Sequence, residues 1–473
     1  MLYKQIICTY AILWCCIAFS QNTTSQSYSL SDCIIIAIEN NLDLRSAVLT
    51  STSAKVNYQQ SKANLLPTLN GDFDLGINDG RSIDPFTNDF INQKLTFSSA
   101  RLRLDATIFN GFRLLNTAKQ NRFNKMAAEM EIEEARQNLV LNVTLAYLQV
   151  LNSRDVLRLN KRRLEATLKQ LKIQENLYKN ESGNPADYAD ILGQKTIDET
   201  NILTSESSLN NAKLELRQLL NLDQAVDLNT EDLVLDFEKY ELSSEEVYKD
   251  ALQNLATFKA RELRVKAAEK GVSVAKSQFT PEISVFGRVN TNYSSAAEVF
   301  TETGTSIVET DNFVTINNEV IPVFEERTDF RAESISFTDQ FDNNLNTVIG
   351  VAVNIPLFNG FRAKNNVALE KIRVKESLVA LERTHQEIKN AISRVHFDME
   401  AAYGRYKSIE KQVEAFGESY RINEILFNEG VSNFLAYITS KNNLDNAQIN
   451  LANVKYEYLL RVKVLEYYRG LSF

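Results

Sequence analysis

Ile108-Phe109-Asn110-Gly111-Phe112-Arg113 returns as Leu357-Phe358-Asn359-Gly360-Phe361-Arg362, 249 residues later. The same offset carries Val150, Leu157, Leu164, Leu171 and Tyr178 onto Met399, Tyr406, Val413, Tyr420 and Phe427, and Tyr188, Ile202, Leu209 and Leu216 onto Tyr437, Leu451, Tyr458 and Leu465. Upstream, Ala37, Asn40, Ala54 and Pro67 match Ala251, Asn254, Ala268 and Pro281 at an offset of 214. Fixed-offset similarity means one structural unit used twice. The second copy carries 35 extra residues between Pro281 and Asn359.

Around the motif the chain alternates. Leu69, Phe73, Leu75 and Ile77 oppose Asn70, Asp72 and Asp74; Leu102, Leu104, Ala106 and Ile108 oppose Arg101, Arg103, Asp105 and Thr107. In the second half Ile283, Val285 and Val289 oppose Arg288 and Asn290, and Ile349, Val351, Val353, Ile355 and Leu357 oppose Gly350, Ala352 and Asn354. Period two gives four strands, each with one apolar face. Each has about the 9–11 residues that a tilted strand needs to cross a bilayer. The loops joining them, around 78–94 and 294–344, are polar and read as loops on the outer face of a barrel.

After each Asn-Gly-Phe comes a proline-free stretch, 112–178 and 361–427. As a helix, 67 such residues span about 100 Å at 1.5 Å per residue. Leu157, Leu164 and Leu171 form one seam, and Leu159, Ala166 and Ile173 a second beside it. Two seams on one helix call for neighbours on both sides. Tyr437, Leu444, Leu451, Tyr458 and Leu465, with Ser440, Ala447 and Val454, describe another coiled-coil seam.

Residues 1–20 read as a secretory signal peptide, with Lys4, an apolar run over 6–19 and Ala18-Phe19-Ser20 before the cleavage point. Lipid attachment through Cys15 or Cys16 is the less favoured reading. Of four cysteines only Cys33 follows the signal, so the mature chain makes no internal disulfide. Loss of Lys4 with the signal takes the formal charge from −9 to about −10, and an acidic exported chain is a poor nucleic-acid binder. His385 and His396 lack metalloprotease spacing, and the sequence carries no phosphate loop, nucleophile elbow or paired-cysteine metal motif. The chain therefore reads as a non-enzyme with no cofactor and no metal site. The linker, with Asp223, Asp227, Glu231, Asp232, Asp236 and Glu238, reads as a solvated belt outside the helices.

The division expected is a signal peptide at 1–20; a first repeat at 21–220 with a helix, a strand pair over 68–110 and a long helix hairpin over 112–220; an acidic linker at 221–242; and a second repeat at 243–473 with a helix, a strand pair over 282–358 and a helix hairpin over 361–470. The polar cluster of interest is the turn Glu181-Ser182-Gly183-Asn184-Pro185-Ala186-Asp187-Tyr188-Ala189-Asp190, whose counterpart runs from Gly430 to Thr439. Asp187 and Asp190 lie on one face at a helix start. Dipole complementation is the simpler reading and is favoured on spacing alone; a carboxylate ring at a pore mouth is the functional one.

The tandem halves, Leu66-Pro67 and Thr280-Pro281, the two Phe-Asn-Gly-Phe junctions and Asn443-Leu444-Asp445-Asn446-Ala447 together resemble the TolC family of outer-membrane channel proteins. The segment from Gly80 to Pro85 is similar to versions in the Bacteroides-like lineage. The resemblance implies a mixed α and β fold in a homotrimer, with a shared transmembrane β-barrel to which each chain gives four strands. Long α-helical coiled coils would continue it as a periplasmic tunnel. It implies an exit duct in outer-membrane lipid, partnered by a periplasmic adaptor protein and an inner-membrane pump. By the same resemblance Asp187, Tyr188 and Asp190, with Ala436, Tyr437 and Thr439, are the constriction. Ser182, Gly183, Gly430, Val431 and Ser432 are the adaptor-docking turns, and Pro67, Gly111, Pro281 and Gly360 the strand–helix junctions. Ala436 and Thr439 stand where the second half would carry acids, so the acidic ring comes from the first half alone. Lipid would not tolerate the open edges of a four-stranded sheet, so closure requires further chains. The rival reading is a soluble periplasmic coiled-coil scaffold.

Overall fold

The computed structural model describes residues 27–83, 88–92, 94–223, 228–233, 237–317 and 319–471. The signal segment 1–20, Asp84, Pro85, Asp227 and Asp236 lie outside the described residues. The first half runs β1 (Ser27–Tyr28), α1 (Leu30–Asn40), α2 (Leu42–Ala63), β2 (Thr68–Asn78), β3 (Arg81–Ile83), β4 (Phe90–Asn92), β5 (Leu95–Phe109), α3 (Arg113–Lys179) and α4 (Pro185–Leu220). After β6 (Asn229–Thr230), the second half runs α5 (Ser244–Asn254), α6 (Ala256–Lys276), a 3₁₀ turn, β7 (Glu282–Ser294), β8 (Glu298–Ile316), β9 (Glu319–Ser334), α7 (Phe337–Asn343), β10 (Asn346–Asn354), α8 (Arg362–Asn428) and α9 (Phe434–Tyr468).

Both halves start the same way. Ser29 and Ser243, at the 214-residue offset, cap α1 and α5 in capping boxes closed by Asp32 and Glu246. Each box satisfies two otherwise orphaned helix-end donors. Hydrogen bonds from the serines hold both carboxyls below their ordinary range. Each leading helix then breaks in two. Asn41 adopts an extended backbone and its side chain accepts from the N–H groups of Asp43 and Leu44, restarting the chain as α2. Leu255 makes the equivalent break between α5 and α6.

By packing, the chain forms two units that cut across the repeats: 1–55 with 123–265 and 375–473, and 56–122 with 266–374. In the first unit Cys33, Ala37, Tyr147, Leu148, Leu151, Leu216, Leu220 and Leu228 form a buried core. The Tyr147 hydroxyl lies 3.0 and 2.9 Å from the carbonyls of Tyr28 and Glu231, where β1 and β6 pair in parallel. The linker is therefore not wholly a solvated belt: Leu228 enters the core and Thr230 is paired. A second buried group joins Val247, Ala251 and Phe258 to Ile392, Met399, Tyr458 and Leu465.

The second unit holds an antiparallel sheet in the order β10-β7-β5-β2. The register puts the apolar positions within the four strands on one face, with Leu69 opposite Leu104, Leu102 opposite Val289 and Val285 opposite Val351; Ile108 falls in a bulge, and Ile355 and Leu357 lie beyond the end of β10. That face is bare: Leu69, Phe73, Leu75, Ile77, Leu102, Ile349, Val351 and Val353 are each more than half exposed. The other face carries Asp72, Asp74, Arg101, Arg103, Asp105, Arg288 and Asn290. The outer edges of β2 and β10 have no partner strand among the described residues.

One expectation is corrected here. The stretch read as a long polar loop, around 294–344, is the antiparallel β8–β9 hairpin followed by α7. The first loop likewise contains the small β3–β4 hairpin.

Candidate functional site

Two repeated places stand out, one in each unit. In the sheet unit, the Asn-Gly-Phe motif turns strand into helix with two successive left-handed residues: φ is 65° at Gly111 and 61° at Phe112, and 62° at both Gly360 and Phe361. A phenylalanine in that region is strained. Both strained rings meet the phenylalanine three residues back edge-on: Phe109 and Phe112 at 5.5 Å, Phe358 and Phe361 at 5.6 Å. Phe112, Phe358, Phe361, Ile108 and Leu357 are all well exposed. Exposed aromatics at the end of an apolar strand face match the aromatic girdle of membrane barrels. Gly111 has no room for a side chain, because a Cβ there would lie 1.8 Å from the Thr280 hydroxyl; a Cβ on Gly360 would meet nothing. Pro67 and Pro281 stand just ahead of β2 and β7, where their missing N–H costs no ladder bond.

In the helical unit, the hairpin tips are built alike. At the first, Glu181 takes φ 56° and the N–H groups of Ser182 and Gly183 both donate to the Leu177 carbonyl at 3.0 Å. Asn184 caps α4, Pro185 opens it, and Asp187 accepts from Asn184 Nδ2 at 3.2 Å. At the second, Gly430 takes φ 71°, Val431 and Ser432 donate to the Leu426 carbonyl, and Asn433 caps α9. Equivalent rings stack in both: Tyr178 on Tyr188 at 5.0 Å, Phe427 on Tyr437 at 4.9 Å.

The two tips differ in what they bury. Tyr437 is packed with Phe434, Ile438 and Ile191 against Leu171, Tyr420 and Phe427. Burial pushes the Tyr437 hydroxyl above its ordinary value. Tyr420 is also raised, by burial and then by its hydrogen bond to Glu424 at 2.6 Å. Asp187, Tyr188 and Ala436 are half-buried, and Asp190 and Thr439 are exposed. Val431 and Leu435 project from the second tip into solvent.

Behind the tips lies a feature the sequence reading missed. The α3 positions buried against the rest of this chain are Asn160, Arg163, Thr167, Gln170 and Gln174, a polar seam with coiled-coil spacing. The apolar seam residues Leu159, Leu164, Ala166 and Leu171 are only half-buried, and Ile173 is exposed. Arg163 Nε sits 2.8 Å from Asp198 on α4, and Asp198 also accepts from Thr167 at 2.6 Å and Gln194 at 2.8 Å. From α9, Asn446 and Asn442 accept from the same guanidinium at 2.8 and 3.1 Å, and Lys441 binds Asp445 at 2.7 Å. Two cations and two anions thus lock the first hairpin to the second. The legible signal was the 3-4 spacing of polar rather than apolar residues.

The family model for outer membrane efflux proteins matches residues 34–222 and 247–470. The chain belongs to the outer membrane efflux protein family. Among known proteins it is 22% identical over 440 residues to outer membrane protein TolC of Vibrio cholerae, covering 90% of this chain and 87% of that one. It is 20% identical to toxin and drug export protein A of Aggregatibacter actinomycetemcomitans, covering 89% and 82%. The crystal structure of the outer membrane protein VceC from Vibrio cholerae superposes with a TM-score of 0.74 at 16% identity, over 94% of this chain and 96% of that one. The chain accordingly has the barrel-and-helical-tunnel fold of the family and is an outer-membrane efflux channel protein. The soluble scaffold reading is set aside: family membership contradicts it, and the bare apolar sheet face is unsuited to water.

Proposed function

We propose that three copies close one barrel and one tunnel, and that the assembly is a passive exit duct served by a periplasmic adaptor and an inner-membrane pump. The observation that carries this reading is the four-stranded sheet with one bare apolar face and two open edges. Lipid covers the face, and only the β2 and β10 edges of further copies satisfy the backbone. The half-buried apolar seams on α3 fit the same assembly, since neighbouring copies cover them. The duct performs no chemistry of its own; the pump supplies the energy, and the cargo is small toxic solutes or polypeptide.

In this reading Asp187 and Asp190, beside Tyr188, line the narrow end, facing Ala436 and Thr439. Tyr437 braces the second tip from inside through its packing on Tyr420 and Phe427. Ser182, Gly183, Gly430, Val431 and Ser432 meet the adaptor; exposed Val431 gives that surface an apolar knob. Membrane fractionation followed by mass measurement of the detergent-purified protein tests the assembly. Three copies in the outer-membrane fraction support it; a soluble monomer overturns it.

A further inference from the structure

The β8–β9 hairpin is the 35-residue excess of the second half, and its register sorts its side chains. Phe300, Ile307, Phe313, Val320, Phe324 and Phe330 fall on one face, each between 56% and 76% exposed. Along the middle of the ribbon the other face carries Glu325, Arg327, Asp329, Arg331 and Glu333. At the tip the distinction ends: Val314, Ile316 and Ile321 make the second face apolar too, and all three are exposed. Glu302, Glu309 and Glu326 stand on the same face, opposite Phe330, Phe324 and Ile307, so the six large side chains form an exposed apolar stripe edged by carboxylates, the make-up of an interaction surface. Nothing among the described residues of the same chain covers it.

Where the hairpin is rooted selects the occupant. It connects β7 to β10, and β10 is an open edge of the sheet. The β3–β4 hairpin connects β2 to β5 at the same end, beside the other open edge. When β10 of one copy meets β2 of the next, the two hairpins become neighbours across the seam. The β3–β4 hairpin is suited to the contact: Phe90 and Ile83 are exposed on one face, with the Arg81 guanidinium 5.0 Å over the Phe90 ring. The facing side of β8–β9 offers Phe300 and Phe330 with the carboxylates of Glu302 and Glu326. A lipid surface is the poorer occupant, because residues 298–334 hold nine carboxylates against two guanidiniums and anionic head groups would repel them.

We propose that β8–β9 is an inter-copy clasp, an inference that rests on the three-copy closure above. Its root packs on the β3–β4 hairpin of the next copy. Its tip, apolar on both faces, gathers with the two other tips over the outer mouth of the barrel. One apolar face serves one neighbour; a tip between two neighbours needs two.

Single cysteines test this in the full-length channel in detergent, where the native Cys33 is buried. Phe313→Cys places a thiol in the tip cluster, and Arg327→Cys places one on the charged face. The expected result is that a short bismaleimide joins most Phe313→Cys chains into dimers on a denaturing gel, with at least tenfold less product from Arg327→Cys. A second pair, Phe90→Cys with Phe330→Cys, crosslinks between chains. Equal yields from Phe313→Cys and Arg327→Cys, or monomers throughout while the measured mass is that of a trimer, would overturn the clasp and leave the trimer intact. A monomeric mass would remove both readings together.

Discussion

Replacing Asp198 with asparagine removes one charge from the buried cluster and almost no volume. Asp198 is fully buried, forms an ion pair with Arg163 at 2.8 Å and accepts hydrogen bonds from Thr167 at 2.6 Å and Gln194 at 2.8 Å. In the Asp198→Asn chain Arg163 and Lys441 face a single carboxylate, Asp445, which is 3.7 Å from Arg163 and already bound to Lys441 at 2.7 Å. An uncompensated buried charge costs about 3–5 kcal/mol. Asp445 and the Asn442 and Asn446 carbonyl oxygens offset part of that, which puts the loss near ~3 kcal/mol, at the lower end of the range. The cluster ties α3 and α4 to α9, so the loss falls on the contact between hairpins. At about 1.4 kcal/mol per tenfold, the population with the tips apart rises roughly a hundredfold. Hydrogen exchange of the amides around residues 194–202 and 441–446 reads this directly, as faster exchange in the variant. The double variant Arg163→Met/Asp198→Met replaces the pair by apolar side chains and recovers most of the protection, because a matched pair is removed and no lone charge remains. A change below about 1 kcal/mol in the single variant, or a double variant as damaged as the single, would refute the reasoning.

Other outcomes follow from particular residues. Gly111→Ala meets both a left-handed backbone and the Thr280 hydroxyl, whereas Gly360→Ala meets only the backbone. Thermal unfolding should show Gly360→Ala destabilised by about 1–2 kcal/mol and Gly111→Ala by clearly more; equal losses would contradict the close approach. Cys33 is pushed up to about 12, by burial and then by the neighbouring Asp32 charge, so its thiol should react with a disulfide reagent at pH 8 only after denaturation. Tyr420 and Tyr437 are raised above the ordinary 10.0 in the folded tip. The neutral hydroxyls are favoured by folding, so their contribution is whole below about pH 10 and declines as pH rises from there toward the folded values. On alkaline titration of the folded protein, wild type should therefore show late tyrosinate absorbance that the folded Tyr420→Phe/Tyr437→Phe variant lacks; identical late absorbance in the two would contradict the raised hydroxyls.

Much of this architecture was legible because period two and the 249-residue offset are both simple. Most apolar strand positions read from alternation fall on the one bare sheet face, since each side-chain set has a single register that keeps it there; Ile108 falls in the β5 bulge, and Ile355 and Leu357 lie beyond the end of β10. The β8–β9 hairpin escaped for a physical reason. Register shifts between Glu302 and Gly304 and between Glu309 and Phe313 break its alternation twice, so its apolar stripe is invisible as a period. The helix breaks at Asn41 and Leu255 escaped because neither involves proline or glycine. The ionic cluster escaped because the heptads were read from apolar residues alone, and along 160–174 the buried positions are the polar ones beside them.

The most direct test of the account is single-channel conductance of the purified protein in planar bilayers, wild type against Asp187→Asn/Asp190→Asn. The account predicts discrete conductance steps for both, with lower cation preference or altered open probability in the variant. A protein that never inserts would contradict the duct, and a variant indistinguishable from wild type would return Asp187 and Asp190 to the simple role of complementing the α4 dipole.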